Sequence, residues 1–414
     1  MTPGLVAAAE AVLSALLPFQ QPADVVLSRF FRDRPRLGGR DRAFIAEACY
    51  GVLRHLRSLE HLAGGLAPRP LLLAWLARHD GRNLREFESL TDAEERAWLK
   101  DIKAADHHAL PPAVRLDLPD WLYERMLALH GEQIEALAAA LNQPAPLDLR
   151  VNTLRASREA VRDGLAAEGL AAEPTPWSPW GLRLRDKPAL NRHPLYLEGV
   201  IEVQDEGSQL LALLTGARRG EMVCDFCAGA GGKSLALGAM MKNTGRLYAF
   251  DVSDRRLARL KPRLARSGLS NVHPIHISGE TDTRVKRLAN KFDRVLVDAP
   301  CSGLGTLRRN PDLKWRQTPQ TVTELAAKQA AILTAAAGVV KPGGRLVYAT
   351  CSLLPEENED IVAAFLAAHT DFHLIPVDPI LAAQGIELAM GEVLRLDPAQ
   401  HGTDAFYAAV LERI

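Results

Sequence analysis

The sequence of 414 residues predicts an α/β protein whose largest part is a Rossmann-like, mostly parallel sheet, and three observations predict it. From about Gln204 onward, apolar runs alternate with helical patterns, which is typical of a parallel sheet with helices on both faces. Up to about Asn142, apolar residues recur every three or four positions, which indicates helices. Between them, QPAPLDLRVN (143–152) marks a break in composition. We therefore predict a helical domain (1–142), a small α/β linker domain (143–203) and a large α/β domain (204–414).

Each predicted element follows from its own apolar period. Four segments of the helical domain present one apolar face: LVAAAEAVLSALL, RDRAFIAEACYGVLRHLRSLEHLA, PLLLAWLARH and PDWLYERMLALHGEQIEALAAALN. The linker domain contains one helical pattern, SREAVRDGLAAEG. Five candidate strands build the large domain: MVCDF, GRLYAFD, VHPIHI, RVLVDA and GRLVYAT. The tail EVLRLDP…DAFYAAVLERI predicts a closing antiparallel hairpin.

Composition excludes several classes of protein. The 50 basic and 50 acidic residues cancel, so any basic surface that binds nucleic acid must be local. Five scattered cysteines fit a reducing compartment better than a disulfide framework. The apolar runs stay shorter than the roughly 18 residues that span a bilayer. We expect a soluble, cytoplasmic protein with no membrane partner, and nothing in the sequence requires more than a monomer.

A glycine-rich loop follows the first strand of the large domain, in VCDFCAGAGGKSLALG (223–238). Glycines between a strand and a helix let the backbone approach a ligand at the N–H groups of the helix. The next strand ends in Asp251, about twenty residues beyond Gly231, and this spacing suits a carboxylate that accepts the ribose hydroxyls of a nucleoside cofactor.

Three ligands compete for this loop. A dinucleotide is disfavoured because Gly-x-Gly-x-x-Gly is absent. A nucleoside triphosphate is an alternative, since CAGAGGKS differs from a P-loop by Cys227 at its first glycine and RVLVD can serve as the acidic strand. That loop needs no acid like Asp251, however. S-adenosylmethionine fits the whole pattern best, because it has no phosphate and its ribose and amino group need acids. A tight turn without ligand is the remaining interpretation.

Two later strands each end in a cysteine. Cys301 follows FDRVLV in VDAPCSG, and Cys351 follows GGRLVYAT. Because the carboxyl ends of parallel strands form the ligand crevice of an open sheet, we expect both thiols beside the glycine loop. Cys49 and Cys224 are instead predicted to be small buried hydrophobes. Cys224-x-x-Cys227 has no second pair, so we assign no metal.

A thiol beside a methyl donor suggests covalent catalysis on cytosine. Carbon 5 of cytosine is a poor nucleophile until a group adds at carbon 6, and a thiolate can make that addition. Asp298, at the end of an apolar strand, is expected to stay protonated through burial and to hydrogen-bond ring N3. The second cysteine can assist the steps that remove the carbon-5 hydrogen and expel the first thiol.

Two motifs connect these residues to a known family. DAPCSGLGTLRRNPDLKWR (298–316) and YATCSLLPEENE (348–359) resemble the Pro-Cys and Thr-Cys motifs of the RNA cytosine-5 methyltransferases of the NOL1/NOP2/Sun family. QDEGSQ (204–209) and HGTDAFY (401–407) also match its pattern. The resemblance implies an S-adenosylmethionine-dependent methyltransferase domain with a seven-stranded, mostly parallel sheet. It further implies that Cys351 attacks, that Cys301 promotes release and that Asp298 contacts the base.

The resemblance also implies the cofactor residues, with two departures from the family pattern. The loop usually reads Cys-Ala-Ala-Pro-Gly-Gly-Lys, and here Gly229-Ala230 replaces Ala-Pro. An aspartate near the adenine is common after the third strand, where HISGETD has Ser278 and then Asp282. The implied cofactor-binding residues are Cys227, Ala228, Gly229, Ala230, Gly231, Gly232, Lys233, Asp251, Ser278 and Asp298.

The front half carries a second resemblance. RDRAFIAEACYGVLRH (40–55) resembles the helical RNA-binding domain of the antitermination factor NusB, and within the family this attachment is similar to bacterial enzymes of the RsmB type, which methylate one cytosine of 16S rRNA. The implied partner is rRNA, unassembled or in a partly assembled small subunit, because the target base must be unpaired or extruded. A basic cluster there is either an RNA contact or a solvated face: Arg29, Arg32, Arg34, Arg36, Arg40 and Arg42.

Near the Pro-Cys motif, Arg308, Arg309 and Lys314 are predicted to hold RNA phosphates and Trp315 to stack on a base. Trp315 as a packing residue is the alternative. Other functions remain open: methylation of tRNA, a P-loop ATPase, or a non-catalytic RNA-binding ribosome assembly factor. The presence of Cys301, Cys351 and Asp298 together argues against the last.

Overall fold

The structure, a computed structural model, describes residues 1–414 and divides them into two compact units. The first unit comprises Met1–Pro144 with Thr306–Pro319, and the second comprises Ala145–Gly305 with Gln320–Ile414. This differs from the predicted three-part division in two respects. The linker domain belongs to the same unit as the large sheet, and a segment that follows the Pro-Cys motif belongs to the helical unit.

The first unit is helical around one apolar core. Two of the predicted helices are each broken in two. The long run after Arg40 breaks at His55, because the Asp117 side chain accepts a hydrogen bond from the Ser58 N–H (2.9 Å) and so caps a new helix. The second break is at Gly131, whose φ of 52° no ordinary helix accommodates. The helices are α1 Pro3–Leu16, α2 Ala23–Arg32, α3 Gly39–Arg54, α4 Leu56–Ala63, α5 Pro68–Arg78, α6 Ala93–Ala104, α7 Pro112–Arg115, α8 Asp120–His130 and α9 Ile134–Leu141.

The second unit begins with a small antiparallel sheet of four strands in the order β2-β3-β1-β4. Alternating residues of β1, such as Leu149 and Val151, pack with Leu165 of the neighbouring helix in a separate small core. Its elements are β1 Leu147–Val151, α10 Arg158–Ala167, β2 Ala172–Pro174, β3 Gly181–Leu184, α11 Pro194–Leu197 and β4 Ile201–Val203.

The main sheet confirms the Rossmann-like fold class. Seven strands follow the order β10-β12-β9-β8-β5-β6-β7, and an eighth, β11, pairs only with β12. The strands from β9 to β7 are parallel, and β10, β11 and β12 form the predicted antiparallel closure. Its elements are α12 Glu206–Leu214, β5 Met222–Asp225, α13 Gly232–Met240, β6 Arg246–Asp251, α14 Asp254–Ser267, β7 Val272–His276, α15 Thr283–Lys286, β8 Phe292–Asp298, α16 Leu313–Arg316 (in the helical unit), α17 Pro319–Ala337, β9 Val340–Thr350, α18 Glu359–Ala368, β10 Phe372–Ile375, α19 Val377–Ala382, β11 Leu394–Leu396 and β12 Phe406–Arg413.

Two apolar cores cover the two faces of the main sheet. Val295, Leu296 and Val297 of β8 are all fully buried, which is why this strand is a continuous apolar run rather than an alternating one. Cys49 and Cys224 are also fully buried, as predicted. None of the helices combines the length and the apolar character that crossing a membrane requires.

Candidate active site

A crevice of about 450 Å³ lies at the carboxyl ends of the parallel strands. The chain leaves the central strand β5, adds β6 and β7 on one side, and then returns to place β8 on the other. At such a switch point the loops diverge and leave room for a ligand. The predicted residues that line the crevice are Cys227, Ala228, Gly229, Ala230, Gly232, Lys233, Asp251, Asp298, Cys301 and Cys351.

The glycine loop needs its glycines for two different reasons. Gly231 begins α13 with φ 81°, and a Cβ there would lie 2.1 Å from Leu260 Cδ1. Gly231 therefore serves packing and does not itself line the crevice. Gly229 has φ 57° and its N–H donates to Asp251 Oδ2 at 2.8 Å. This bond joins the loop to the end of β6, so the acid and the glycines form one wall.

Two buried carboxylates face the crevice. Asp251 also accepts the Ser253 N–H (2.7 Å) and pairs with Arg256 at 3.0 Å. Asp225, the last residue of β5, accepts the Ser234 hydroxyl at 2.6 Å, while its second oxygen, Oδ1, is buried without a partner. Burial raises the pKa of Asp225 to about 7. An unpaired buried acceptor of this kind suits a cationic ligand.

Lys233 connects the glycine loop to the predicted catalytic acid. Its Nζ donates to Asp298 Oδ2 at 2.7 Å. Burial alone would lower the pKa of Lys233, but the carboxylates of Asp298 and Asp225 raise it overall. The Asp298 side chain is 30% exposed. The expected burial of Asp298 is therefore only partial, and its carboxyl group is paired with the Lys233 ammonium group.

The two thiols lie side by side, because β8 and β9, whose ends carry them, are neighbours in the sheet. The sulfur atoms of Cys301 and Cys351 are 3.4 Å apart. The hydrogen bond with Cys351 and burial together raise the pKa of Cys301, so that Cys301 is the protonated partner. The Gly305 N–H donates to the Cys351 carbonyl at 2.8 Å, and a Cβ on Gly305 would lie 2.4 Å from the Ala405 carbonyl oxygen. Glycine is thus required where the two cysteine loops meet.

Ser278 does not line the crevice, which corrects its placement at the adenine side. Its N–H and hydroxyl both donate to Asp282 Oδ2, at 2.7 and 3.1 Å. The crevice wall is formed instead by its neighbours Ile277 and Glu280. The serine is turned toward its own loop because Asp282 caps the following short helix.

The residues after the Pro-Cys motif are placed differently from the prediction. Lys314 is 1% exposed, and its Nζ donates to the Arg54 carbonyl and to Asn142 Oδ1, both at 2.8 Å. Trp315 donates from Nε1 to the Leu53 carbonyl at 2.8 Å and packs against the helical core. Lys314 is therefore not placed to contact RNA, because its side chain is buried inside the helical unit, and the position of Trp315 fits the packing alternative.

The two arginines of this segment differ from each other. Arg308 is 7% exposed, which leaves little of its side chain for a phosphate. Its carbonyl oxygen accepts a hydrogen bond from Arg54 Nη2 at 2.9 Å. Arg309 is half-buried, so part of its side chain reaches solvent. RNA contact by Arg309 stays a prediction.

Several residues of the crevice were not predicted from the sequence. Arg256, Arg263, Lys328 and Ile332 line it, and Glu357 lies behind both thiols. The sequence does carry a signal for Glu357. This residue lies in the quoted Thr-Cys motif, and each of the two predicted catalytic cysteines is followed by a serine. Arg256 and Arg263 carry no such signal, because α14 contains many charged residues.

Comparisons with known proteins agree with this geometry. A family model described as "16S rRNA methyltransferase RsmB/F" matches residues 212–412, and one described as an RsmF/B-like ferredoxin-like domain matches 118–191. The probable ribosomal RNA small subunit methyltransferase B of Synechocystis sp. is 33% identical over 94% of this chain and 95% of that protein. The solved structure of PH0851 aligns with a TM-score of 0.81 and 27% identity, covering 100% of this chain and 99% of that one. A methyltransferase homolog protein from Pyrococcus horikoshii aligns with a TM-score of 0.64 and 32% identity, covering 74% and 100%.

Proposed function

Because this chain belongs to the RsmB/F family of 16S rRNA methyltransferases, we propose that it transfers a methyl group from S-adenosylmethionine to carbon 5 of a cytosine in 16S rRNA. One observation carries the proposal. Two thiols 3.4 Å apart share a crevice with an aspartate–lysine pair and a glycine loop. Covalent activation of a pyrimidine needs this set of groups.

The crevice fits S-adenosylmethionine. The glycine loop allows close approach, and Asp251 Oδ2, which accepts one hydrogen bond from the Gly229 N–H, keeps a lone pair for a ribose hydroxyl. The buried, unpaired Oδ1 of Asp225 suits a cationic amino group. When bound, the cofactor supplies an electrophilic methyl group. Arg256 pairs with Asp251 and Lys233 pairs with Asp298, so an ion pair holds each of these two carboxyl groups in place.

The chain's own groups carry the covalent steps on cytosine. The Cys351 thiolate adds to carbon 6, and the double-bond electron pair moves toward carbon 5, which then accepts the methyl group. Cys351 is one of the groups that raise the pKa of Lys233, so the two side chains interact electrostatically. The carbon-5 hydrogen leaves as a proton to water, its electron pair restores the double bond, and the sulfur–carbon bond breaks. The protonated Cys301 donates a hydrogen bond to the departing Cys351 sulfur and so assists release.

RNA contact is proposed for the basic cluster of the helical unit. Arg29, Arg32, Arg34, Arg36 and Arg40 are exposed along α2, α3 and the loop between them. Exposed arginines can follow a phosphate backbone, and they give binding that weakens with salt. The substrate we propose is rRNA that is unassembled or in a partly assembled small subunit, since an extruded or unpaired cytosine is required.

A denaturing gel tests the proposal. Wild-type, Cys301→Ala, Cys351→Ala and the double variant are incubated with S-adenosylmethionine and 16S rRNA from cells that lack the enzyme. We expect a protein–RNA adduct that survives denaturant in Cys301→Ala only, because attack proceeds and release does not. The double variant is the matched control, since it lacks the attacking sulfur.

Other outcomes have distinct meanings. If Cys351→Ala accumulates the adduct instead, the roles of the two thiols are reversed. If the wild type methylates the RNA and no variant forms an adduct, the covalent mechanism is wrong. If the wild type methylates tRNA and not 16S rRNA, the proposed substrate is wrong.

A further inference from the structure

A fully buried glutamate lies behind the two thiols. Glu357 is 0% exposed and follows β9 in a single turn of 3₁₀-helix, Pro355–Glu357. Ser302, directly after Cys301, donates both its N–H (2.8 Å) and its hydroxyl (2.5 Å) to the Glu357 carboxylate. Ser352, directly after Cys351, donates its hydroxyl to the same carboxylate. One carboxylate therefore contacts both loops that carry the catalytic thiols.

The carboxylate is saturated with hydrogen bonds. Oε1 accepts from the Ser302 N–H and from Gln329 Nε2 at 2.9 Å, and Oε2 accepts from the two serine hydroxyls. An ionised carboxylate offers about four acceptor positions, and four donors occupy them. No position is left for a substrate or a proton, so Glu357 is suited to holding its neighbours in place rather than to acid–base chemistry.

The network continues into both loops and fixes their backbones. Gln329 on α17 also donates from Nε2 to the Pro300 carbonyl at 3.0 Å, which holds the residue just before Cys301. The Tyr348 hydroxyl donates to the Glu357 carbonyl at 2.6 Å and thereby fixes the turn that carries the glutamate. Asn358 donates to the Ser352 carbonyl at 3.2 Å. Cys301 and Cys351 are thus each flanked by anchored backbone.

We propose that Glu357 is a positioning residue that holds the Cys301 and Cys351 loops in register, through Ser302 and Ser352, so that one thiol attacks and the other assists release. The roles of the two thiols in attack and release rest on the proposed function, whereas the alignment of the two loops by Glu357 does not. Glutamine is not equivalent, because its amide nitrogen accepts no hydrogen bond. Either the two serine hydroxyls or the Ser302 N–H and the Gln329 amide would then lose their acceptor. Aspartate is one methylene shorter, and its carboxylate cannot reach both loops.

The register of the thiols can be measured without any substrate. A diazene oxidant such as diamide takes two hydrogens and two electrons from a pair of thiols, forming one disulfide and the corresponding hydrazine. The reaction between Cys301 and Cys351 is fast only when the sulfur atoms are in contact. We expect Glu357→Gln and Glu357→Asp to slow formation of this disulfide at least about tenfold, since loss of alignment removes the proximity advantage. Peptide mapping of the oxidised protein identifies the bond.

A matched control and two milder variants complete the measurement. Glu359→Gln removes a nearby carboxylate that pairs at the surface with Arg395, and it should oxidise at the wild-type rate. Ser302→Ala and Ser352→Ala each remove one contact with Glu357 and should slow the reaction in part. Adding Glu357→Gln to the double serine variant should cause a smaller further loss than Glu357→Gln causes in the wild type, because only the Ser302 N–H and Gln329 contacts of the carboxylate remain there. Thermal melts identify any variant that fails to fold, and the single serine variants then provide the test.

Turnover separates positioning from folding and from cofactor binding. In Glu357→Gln we expect kcat to fall about a hundredfold, since displacement of reacting groups by about 1 Å has effects of that size. The affinity for S-adenosylmethionine should stay unchanged, because Glu357 does not line the crevice. Wild-type rates of both disulfide formation and turnover in folded Glu357→Gln would overturn the inference. If the wild type methylates no RNA, the proposed function fails, and the disulfide rates still decide whether Glu357 aligns the thiols.

Discussion

Asp225 shows how one buried oxygen can indicate the chemistry of a site. It ends the central strand, and the covalent geometry of β5 forces its side chain into the crevice, where Ser234 satisfies one oxygen and nothing satisfies the other. A buried acceptor without a partner is unfavourable. Burial also raises the pKa of Asp225 to about 7. Lys233, at the other end of the glycine loop, differs because its charge is paired: its ammonium group forms an ion pair with Asp298.

Asp225→Asn should therefore change the pH dependence of stability. Burial raises the pKa of Asp225 from its usual value of 3.8 to about 7, so between these values the folded protein holds a proton that the unfolded chain releases. The stability that this group contributes is complete below about pH 4 and is lost as the pH rises through about 7. Thermal melts of the cofactor-free protein should show the variant gaining about 2–4 °C over the wild type between about pH 5 and 8.

The same variant should lose affinity for S-adenosylmethionine by calorimetry, because a neutral amide replaces the acid that faces the cationic amino group. Asp163→Asn is the matched control, since Asp163 is 67% exposed and should change neither measurement. A constant difference in melting temperature across the pH range would contradict the assignment of this titration to Asp225.

At the scale of elements, loops rather than helices and strands carry the site. The glycine loop, the loop after β8 and the loop after β9 meet because β8 lies between β5 and β9 in the sheet. Hydrogen bonds from backbone N–H groups hold these loops. The Gly229 N–H donates to the Asp251 side chain, the Gly305 N–H to the Cys351 carbonyl, and the Ala405 N–H to the Gly305 carbonyl. The rigid strands set the distances, and the loops supply the chemistry.

Gly231→Ala tests the packing of the glycine loop. Alanine at φ 81° is strained, and its Cβ would also lie 2.1 Å from Leu260 Cδ1. We expect a loss of about 2–4 kcal/mol in the free energy of unfolding, with weaker cofactor binding, because the start of α13 must shift. Gly220→Ala is the matched control, since Gly220 has φ 80° but open space around a Cβ. Equal losses in the two variants, measured by urea unfolding, would show that strain alone matters.

At the scale of the whole molecule, a neutral chain can still carry a basic surface. The net charge is zero, yet five arginines are exposed within the 29–40 stretch of the helical unit. The segment Thr306–Pro319, which follows the Pro-Cys motif directly in the chain, belongs to that same unit. The loop that carries Cys301 is therefore followed in the chain by a segment that belongs to the helical unit.

The salt dependence of RNA binding measures the contribution of the arginines. Arg36→Gln and Arg40→Gln should each weaken binding uniformly across RNA sequences and lower the slope of log K against log salt by about 0.7–0.9. Arg185→Gln is the control, since this exposed arginine pairs with Glu173 and lies outside the cluster. An unchanged slope in both cluster variants, determined by filter binding at several salt concentrations, would mean that the cluster is only a solvated face.

The amino-acid sequence by itself determined the class of the fold and the principal chemical groups. Strand-and-helix alternation, the glycine loop, Asp251 and the two strand-end cysteines depend on local pattern and spacing, which a linear sequence displays fully. The five predicted strands and the closing hairpin were confirmed.

Tertiary structure alone decided which polar side chains face the crevice and which are buried elsewhere. Lys314, Trp315 and Ser278 have the residue types of ligand contacts, but their polar groups are hydrogen-bonded to Arg54, Leu53 and Asp282. Glu357 is the reverse case, a charged residue in a polar stretch that the fold places behind both thiols. The physical reason is that hydrogen-bond partners distant in sequence compete for each polar group, and only the folded chain settles that competition.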